Sequence, residues 1–496
     1  MGFVGHHKKR QMIQQLSFCS NIHLSPFLFL PFVYEKFIQL DLIHQDMEVV
    51  MRLITLQLSI LLLLTPLLHA GTSEESIFPY NYQTHTLSNG LKVILIPMEG
   101  SGLVAYYTIV RTGSRDEWEP GRSGFAHFFE HMMFRGTEKY PGDVYNQLVT
   151  EMGADANAYT TDDYTCYYLV VPNRYLEKVV ELESDRFQNL KYEESDFRTE
   201  AGAVYGEFRK NRTSPWSIAY EEMLNLAFTR HTYKHTTIGF EEDIKNMPNL
   251  YEYSLSFFQR YYRPENVVLL LAGDFNPETA LKMVEEKYGN WESGYVPPRI
   301  TPEPPQKKER FKEVSYAGRT LPILWMAYKG DAFDPTDKMV VSAYLLGQLA
   351  FGENSEIYKR LVIREQKVQF ITGEFGFSRD PKLYSIISMV KNEKDLPYVQ
   401  KVVDETIQKF QNEKVSEERL EKIKKRLRYG FLMRLDTPDN VASSLARFIA
   451  LTADLKAVDQ LYATMSTITP DDILKAAQKY LQKNRRTVII VKGESQ

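Results

Sequence analysis

Three residues within five positions carry the clearest chemical signal in the chain. His127, Glu130 and His131, in "GFAHFFEHMMFRGTEKYPG" (Gly124–Gly142), form an H-x-x-E-H pattern. Only 10 histidines occur in 496 residues, so two of them four apart, with a carboxylate between them in an apolar run, call for a reason. Ala126–Phe134 holds neither Pro nor Gly and reads as helix. On a helix, positions i and i+4 share a face with Cβ atoms about 5–6 Å apart. Two imidazoles so placed can converge on one zinc ion at Zn–N distances of about 2.0–2.1 Å. Glu130 shares that face and can reach a water on the metal without being a ligand. This is H-E-x-x-H reversed, and the reversal keeps the chemistry.

A catalytic zinc usually has three protein ligands and one open position. "FRTEAGAVYGEFRKNRT" offers Glu200 and Glu207, seven apart and on one face if the segment is helical; Gly202 and Gly206 weaken that helix without forbidding it. Spacing alone leaves a solvated acidic face as the ordinary alternative. A rival histidine pair, His231 and His235 in "TRHTYKHTTIG", has no carboxylate between its members and is surrounded by Thr and Tyr. It reads as loop or strand in a satisfied polar or surface role.

These residues must be positioned by a chain long enough for two or three domains. Its 43% apolar and 25% charged residues and net charge of −4 are those of a globular protein and point to no nucleic-acid partner. The 31 Tyr and 28 Phe are spread along the chain and fit cores better than one binding box. "MRLITLQLSILLLLTPLLHAG" has the form of a signal peptide over residues 47–70, with Arg52, an apolar run from Leu53 to Leu64 and a cut expected after Ala70. Its apolar core is short for a membrane span, so the chain is expected to be exported, periplasmic or secreted. Residues 1–46 read as a doubtful N-terminal extension, with translation expected to start at Met47 or Met51. Of the two cysteines, Cys19 precedes the leader, so Cys166 would remain alone and no intramolecular disulfide is expected.

A Pro-rich stretch, "ESGYVPPRITPEPPQKKER" (Glu292–Arg310), reads as an extended, semi-rigid linker. It separates residues 80–291, the N-terminal catalytic zinc domain, from residues 311–496, a related non-catalytic domain. The halves look duplicated. "RYYRPENVVLLLAGDF" and "QKYLQKNRRTVIIVKGE" end alike, with Gly273 and Gly493 220 residues apart; "HMMFRG" and "QLAFGE" place Phe134 and Phe351 217 apart. Under the second offset Tyr344, Gly347 and Gln348 stand where His127, Glu130 and His131 do, so only one half carries the metal motif. "NGLKVILIP", "LVAYYTIVRTGS" and "YTCYYLVVP" read as strands and "NRYLEKVVELESDRFQNL" as an amphipathic helix. Strands in clusters followed by helices indicate an α+β fold.

The segments "TLSNGLKV", "GSRDEWEPGRSGFAHFFEHMMFRGT", "MGADANAYTTDDYTCYYLVVP", "EAGAVYGEFRKN" and "HTYKHTTIGFEEDI" resemble the pitrilysin/insulinase (M16) zinc peptidases, and the resemblance runs from Thr86 to Gly493. It implies two homologous α+β domains closing like a clam, Glu207 as third ligand and Glu200 as its supporting glutamate. It implies that "GADANAYTTDDYT" is an edge strand at which Asn157 and Ala158 meet a peptide bound as an added β-strand. There is one departure. Family members that act alone usually carry an Arg and a Tyr seven apart in the second half; here Ile371 lies seven beyond Arg364, and Phe370 is the nearest aromatic. A homo- or heterodimer with a related subunit carrying that pair is implied.

The reading is a zinc endopeptidase acting on peptides or unfolded segments, with one zinc ion per chain held by His127, His131 and Glu207, Glu130 as general base and Glu200 orienting a ligand histidine. The alternatives are a non-catalytic structural subunit of the same fold in a larger complex, against which the intact metal set argues, and a metal hydrolase of non-peptide substrates, against which the long edge strand argues.

Overall fold

The computed structural model describes residues 76–494; the expected leader and the doubtful N-terminal extension lie outside them. Eleven strands among the described residues build two sheets. β1 (Gln83–Thr86), β2 (Lys92–Pro97), β3 (Leu103–Val110), β4 (Asp155–Thr160), β5 (Thr165–Pro172) and β6 (Val267–Gly273) form the first, in the order β1-β2-β6-β3-β5-β4. β7 (Arg310–Tyr316), β8 (Ile323–Lys329), β9 (Val368–Glu374), β10 (Leu383–Val390) and β11 (Arg486–Gly493) form the second, in the order β7-β11-β8-β10-β9. β2 and β6 pair in parallel, as do β7 and β11, and all other neighbours are antiparallel. Removing β1 makes the two orders superimpose, which is the α+β duplication. β4 and β9 occupy the same outer edge in the two sheets.

Both faces of the central strands are buried, which is why they read as near-continuous apolar runs. In β3, Val104, Tyr106 and Val110 enter one core while Ala105, Tyr107 and Ile109 enter another, the two-residue alternation of a strand. The helices that matter for the site are α1 (Phe125–Met132), α2 (Leu176–Asn189), α3 (Glu194–Asn211), α4 (Pro215–Ala227), α5 (Lys338–Phe351), α6 (Glu417–Leu432) and α7 (Pro438–Thr452).

Two helices are exchanged between the halves. α7, from the second half, lays Val441, Ala442, Leu445, Ala446 and Ile449 on the first sheet beside Ala105, Ile109, Val268 and Leu270. α4, from the first half, lays Ala219, Met223 and Leu224 on the second sheet beside Ile323, Trp325 and Val491. Both start alike: Ser214 caps α4 by accepting from Trp216 N–H, Thr437 caps α7 by accepting from Asn440 N–H, and Pro215 and Pro438 take the first helical position. The prolines are 223 residues apart, a third repeat anchor. It pairs Phe208 with Phe431 and sets Gly430 against Glu207 and Ile423 against Glu200.

The Pro-rich stretch has no regular secondary structure ahead of β7, and it is held to the body of the molecule. The Glu303 carboxylate accepts the backbone N–H groups of Thr229, Arg230 and His231 at 2.9–3.1 Å, and Gln306 donates to the Arg486 carbonyl at 2.7 Å. Among the described residues no helix is long and apolar enough to cross a membrane.

Candidate metal centre

α1 is short because its ends are closed tightly. Gly124 sits at φ +95°, where an added Cβ would meet the Ile238 carbonyl oxygen at 2.6 Å. The buried Glu117 carboxylate accepts the Gly124 and Ala126 N–H groups, each at 2.7 Å, at the helix N-terminus. The helix ends at Met132, two residues before the expected Phe134, because Phe134 and Arg135 N–H turn back to the His131 and Met132 carbonyls ahead of Gly136. Phe125, Phe128, Phe129 and Met132 recur at helical spacing and face the core. His127, Glu130 and His131 are left on the other face.

The segment of the two glutamates is helical, as α3, and α3 runs beside α1 and packs through Phe197, Ala201, Val204 and Phe208. Glu200 lies on that buried stripe and Glu207 on its half-exposed flank. The ligand atoms of His127, His131 and Glu207 all lie within 4.8 Å of one another. Glu207 Oε2 is 3.6 Å from His127 Nε2 and 3.5 Å from His131 Nε2. Ligands of a tetrahedral zinc with bonds of about 2.0–2.1 Å sit roughly 3.3–3.4 Å apart, so this N,N,O set fits one such ion. It is the one such cluster found among the described residues.

Electrostatics suit the same purpose. Burial lowers the His127 pKa and keeps that imidazole neutral. His131 Nδ1 is 2.8 Å from Glu200 Oε1, which fixes the ring and directs Nε2 to the cluster. The hydrogen bonds to Glu200 and then Glu207 raise the His131 pKa to about 9. Glu207 is held down to about 2, first by its contact with His131, and Glu200 is lowered for the same first reason. The other Glu200 oxygen is clamped by Arg135, with Nε donating at 2.8 Å.

Glu130 is held from the neighbouring sheet. Thr160, the last residue of β4, donates its hydroxyl to Glu130 Oε2 at 2.6 Å. Asn157 and Ala158 lie on β4, the outermost strand of its sheet. The Asn157 side-chain oxygen accepts the Ala158 N–H at 2.8 Å. A cleft of about 400 Å³ opens beside the cluster, lined by Glu130, His131, Phe134, Arg135, Asn146 and Glu200.

Other candidates fall elsewhere. His231 is buried, with Nε2 3.0 Å from Asp380 and Nδ1 accepting the Tyr233 N–H, the satisfied polar role of the two expected for it. His235 is also buried and bonds the Thr236 carbonyl. Arg364 is engaged with Glu356, and Phe370 packs its ring 5.7 Å from Trp216. Thr160, Arg135 and Glu117 escaped the sequence reading. The only local hint was that all three sit inside or beside the motif segments.

A duplicated α+β fold thus carries, in one half, a His, His, Glu cluster suited to a metal ion. Residues 94–240 match the insulinase family, peptidase family M16, and residues 250–427 match the peptidase M16 inactive domain. The chain belongs to peptidase family M16. It is similar to zinc protease PqqE of Helicobacter pylori, 26% identical over 444 residues that cover 88% of this chain and 98% of that protein. It is also similar to the beta subunit of the mitochondrial processing peptidase of Lentinula edodes, 24% identical over 80% of this chain and 86% of that one. The crystal structure of a Helicobacter pylori protease superimposes with a TM-score of 0.79 at 25% identity, covering 84% of this chain and all of that one.

Proposed function

We propose that this chain is a zinc-dependent endopeptidase that hydrolyses peptides or unfolded polypeptide segments. The observation that carries this is the convergence of His127, His131 and Glu207 at the spacing of a tetrahedral ion, with Glu130 on the same helix face. Zinc held there, one ion per chain, would supply Lewis-acid polarisation and a more acidic water. Glu130 takes the proton of the attacking water and passes it to the leaving amine. Thr160 holds one oxygen of that carboxylate, which leaves the other to face the substrate. Glu200, anchored by Arg135, orients His131. Water attacks directly, so no acyl-enzyme forms.

The peptide adds as a strand beside β4, meeting Asn157 and Ala158. The self-contact of Asn157 with the Ala158 N–H gives way to the substrate backbone as it docks. The chain is exported by its leader. A related subunit supplies an Arg/Tyr pair, a proposal supported by the engagement of Arg364 with Glu356 and by the name of the fungal relative, a subunit.

The test is purified protein lacking the leader, incubated with zinc and a mixed peptide library, alone and with a related subunit. Zinc-dependent internal cleavage is expected. Glu207→Gln should lose zinc on mild chelator dialysis. Full occupancy in that variant removes Glu207 from the ligand set, and no cleavage under any condition favours the structural-subunit alternative.

A further inference from the structure

The second sheet has an uncovered corner. α4 packs on β7, β8 and β11, which leaves the β9–β10 end of the same face open. There a cleft of about 670 Å³ lies between α4 and the sheet. The pleat of the strands decides its lining. Phe370, Thr372 and Glu374 alternate onto one face of β9, and the register sets Thr372 beside Ile387, Ile387 beside Trp325, and Phe370 beside Met389. α4 contributes Trp216 and Tyr220 as the opposite wall. Trp216 lies against Phe370 at 5.7 Å, and Tyr220 stacks on Trp325 at 5.9 Å and 15°.

Among the polar groups of this slot, those of Glu374 and Trp325 bear on what it could hold. Glu374 is the one charged residue lining it among the described residues, and its carboxylate has no hydrogen bond or ion pair there. It is open to the cleft, yet the surrounding protein pushes its pKa up. Trp325 is 8% exposed, and its indole N–H is buried without an acceptor among the described residues. β9 is also an outermost strand, so its outer backbone groups are free to pair with a peptide.

The slot adjoins a second chamber that reaches the turn following Thr160. A neighbouring chamber of about 630 Å³ shares Tyr220, Trp325, Thr372 and Glu374 with it, and its other wall is Thr161–Tyr164, the turn that follows Thr160. The nearby cations are engaged: Lys382 is bound to Asp162, and Arg447 lies beside Tyr164.

We propose that this slot is a subsite for an arginine or lysine side chain of the peptide being cleaved. The proposal rests on the peptidase reading and names a feature of its substrate. Aromatic faces attract a guanidinium or ammonium group and cover its aliphatic stem. Glu374 meets the charge.

The test uses one peptide sequence in which Arg, citrulline, Phe or Glu is placed at each position in turn. The readout is the ratio of kcat/KM for the Arg peptide to that for the citrulline peptide, which keeps the shape and removes the charge. At the responsive position the ratio should fall about tenfold in Glu374→Gln, and Glu374→Lys should prefer the Glu peptide. Binding of the labelled Arg and citrulline peptides to zinc-loaded Glu130→Gln, by fluorescence anisotropy, gives the same comparison without turnover. If no peptide is cleaved the peptidase reading falls, and the binding arm still decides the subsite. A ratio that Glu374→Gln leaves unchanged, equal affinities for the two labelled peptides, or a preference for Phe over Arg in both proteins overturns the proposal.

Discussion

The two halves use one backbone plan for opposite ends. In the first, α1 turns a core-facing aromatic stripe inward and presents His127, Glu130 and His131 on its other side. In the second, α5 is buried over most of its circumference. Tyr344 packs on Phe377 with ring centres 5.0 Å apart, Gln348 accepts a hydrogen bond from Arg426, and an added Cβ on Gly347 would meet Phe375 at 2.9 Å. Gly430 and Ile423 replace the two glutamates of α3. Where the first half keeps a helix face free for an ion, the second fills that face with aromatic packing. The lesson is that one backbone plan can carry a ligand set or a packing face at the same helix position, and only the first half carries the ligand set.

The sharpest way to break this comparison is to change the same helix position in both halves. Glu130→Gln should retain zinc and fold and lose turnover by about 10²–10⁴-fold, the usual worth of a general base. Peptidase rates alongside elemental analysis check it, and near-wild-type cleavage would end the base assignment. Next in size is the exchanged helix. Leu445 is fully buried against the first sheet, although it belongs to the second half. Leu445→Ala should cost about 2–5 kcal/mol in unfolding free energy. It should also speed amide exchange in β3 and β6; if exchange rises only in the second sheet, the halves are not stabilised through α7.

Smaller effects sharpen the contrast. Gly347→Val, at the position matching Glu130, should destabilise by about 1–3 kcal/mol through overpacking against Phe375, measured by denaturant unfolding. A neutral result would mean that the second lobe has the same free helix face as the first. The smallest effect is a slope. In apoprotein His131, with its pKa raised to about 9, carries a proton below that pH, whereas burial keeps His127 neutral. Zinc must displace the His131 proton, so its affinity should fall about tenfold for each pH unit below roughly 9. Zinc titrations at several pH values read that slope. A twofold steeper dependence would show that His127 is protonated too.

Much of the site was legible because it is local. Two histidines and a glutamate on one short helix are set by the 3.6-residue turn, and the seven-residue spacing of Glu200 and Glu207 sets their shared side of α3 in the same way. The repeat was legible at β6 and β11, where an apolar strand ends in Gly273 and Gly493. It was missed at α4 and α7, whose Ser-Pro and Thr-Pro starts look like ordinary helix caps and whose crossing to the opposite sheet leaves no periodic trace. The rival pair His231 and His235 shows the limit from the other side: spacing made them candidates, and burial beside Asp380 and Thr236 gave them other partners.

By itself, then, the sequence determined the two histidines and the glutamate on one helix face, and the absence of that motif from the matching helix of the second half, since each depends on residues within about two helical turns of one another. The approach of Glu207, 76 residues beyond His131, is by contrast a tertiary contact. Only the tertiary structure decided that Thr160 grips Glu130 across 30 residues, that Arg135 clamps Glu200 across 65, and that Trp216 and Glu374 share one slot. Those contacts depend on strand register and on helix docking between distant segments, and register is set by the collective burial of whole faces rather than by any residue that takes part.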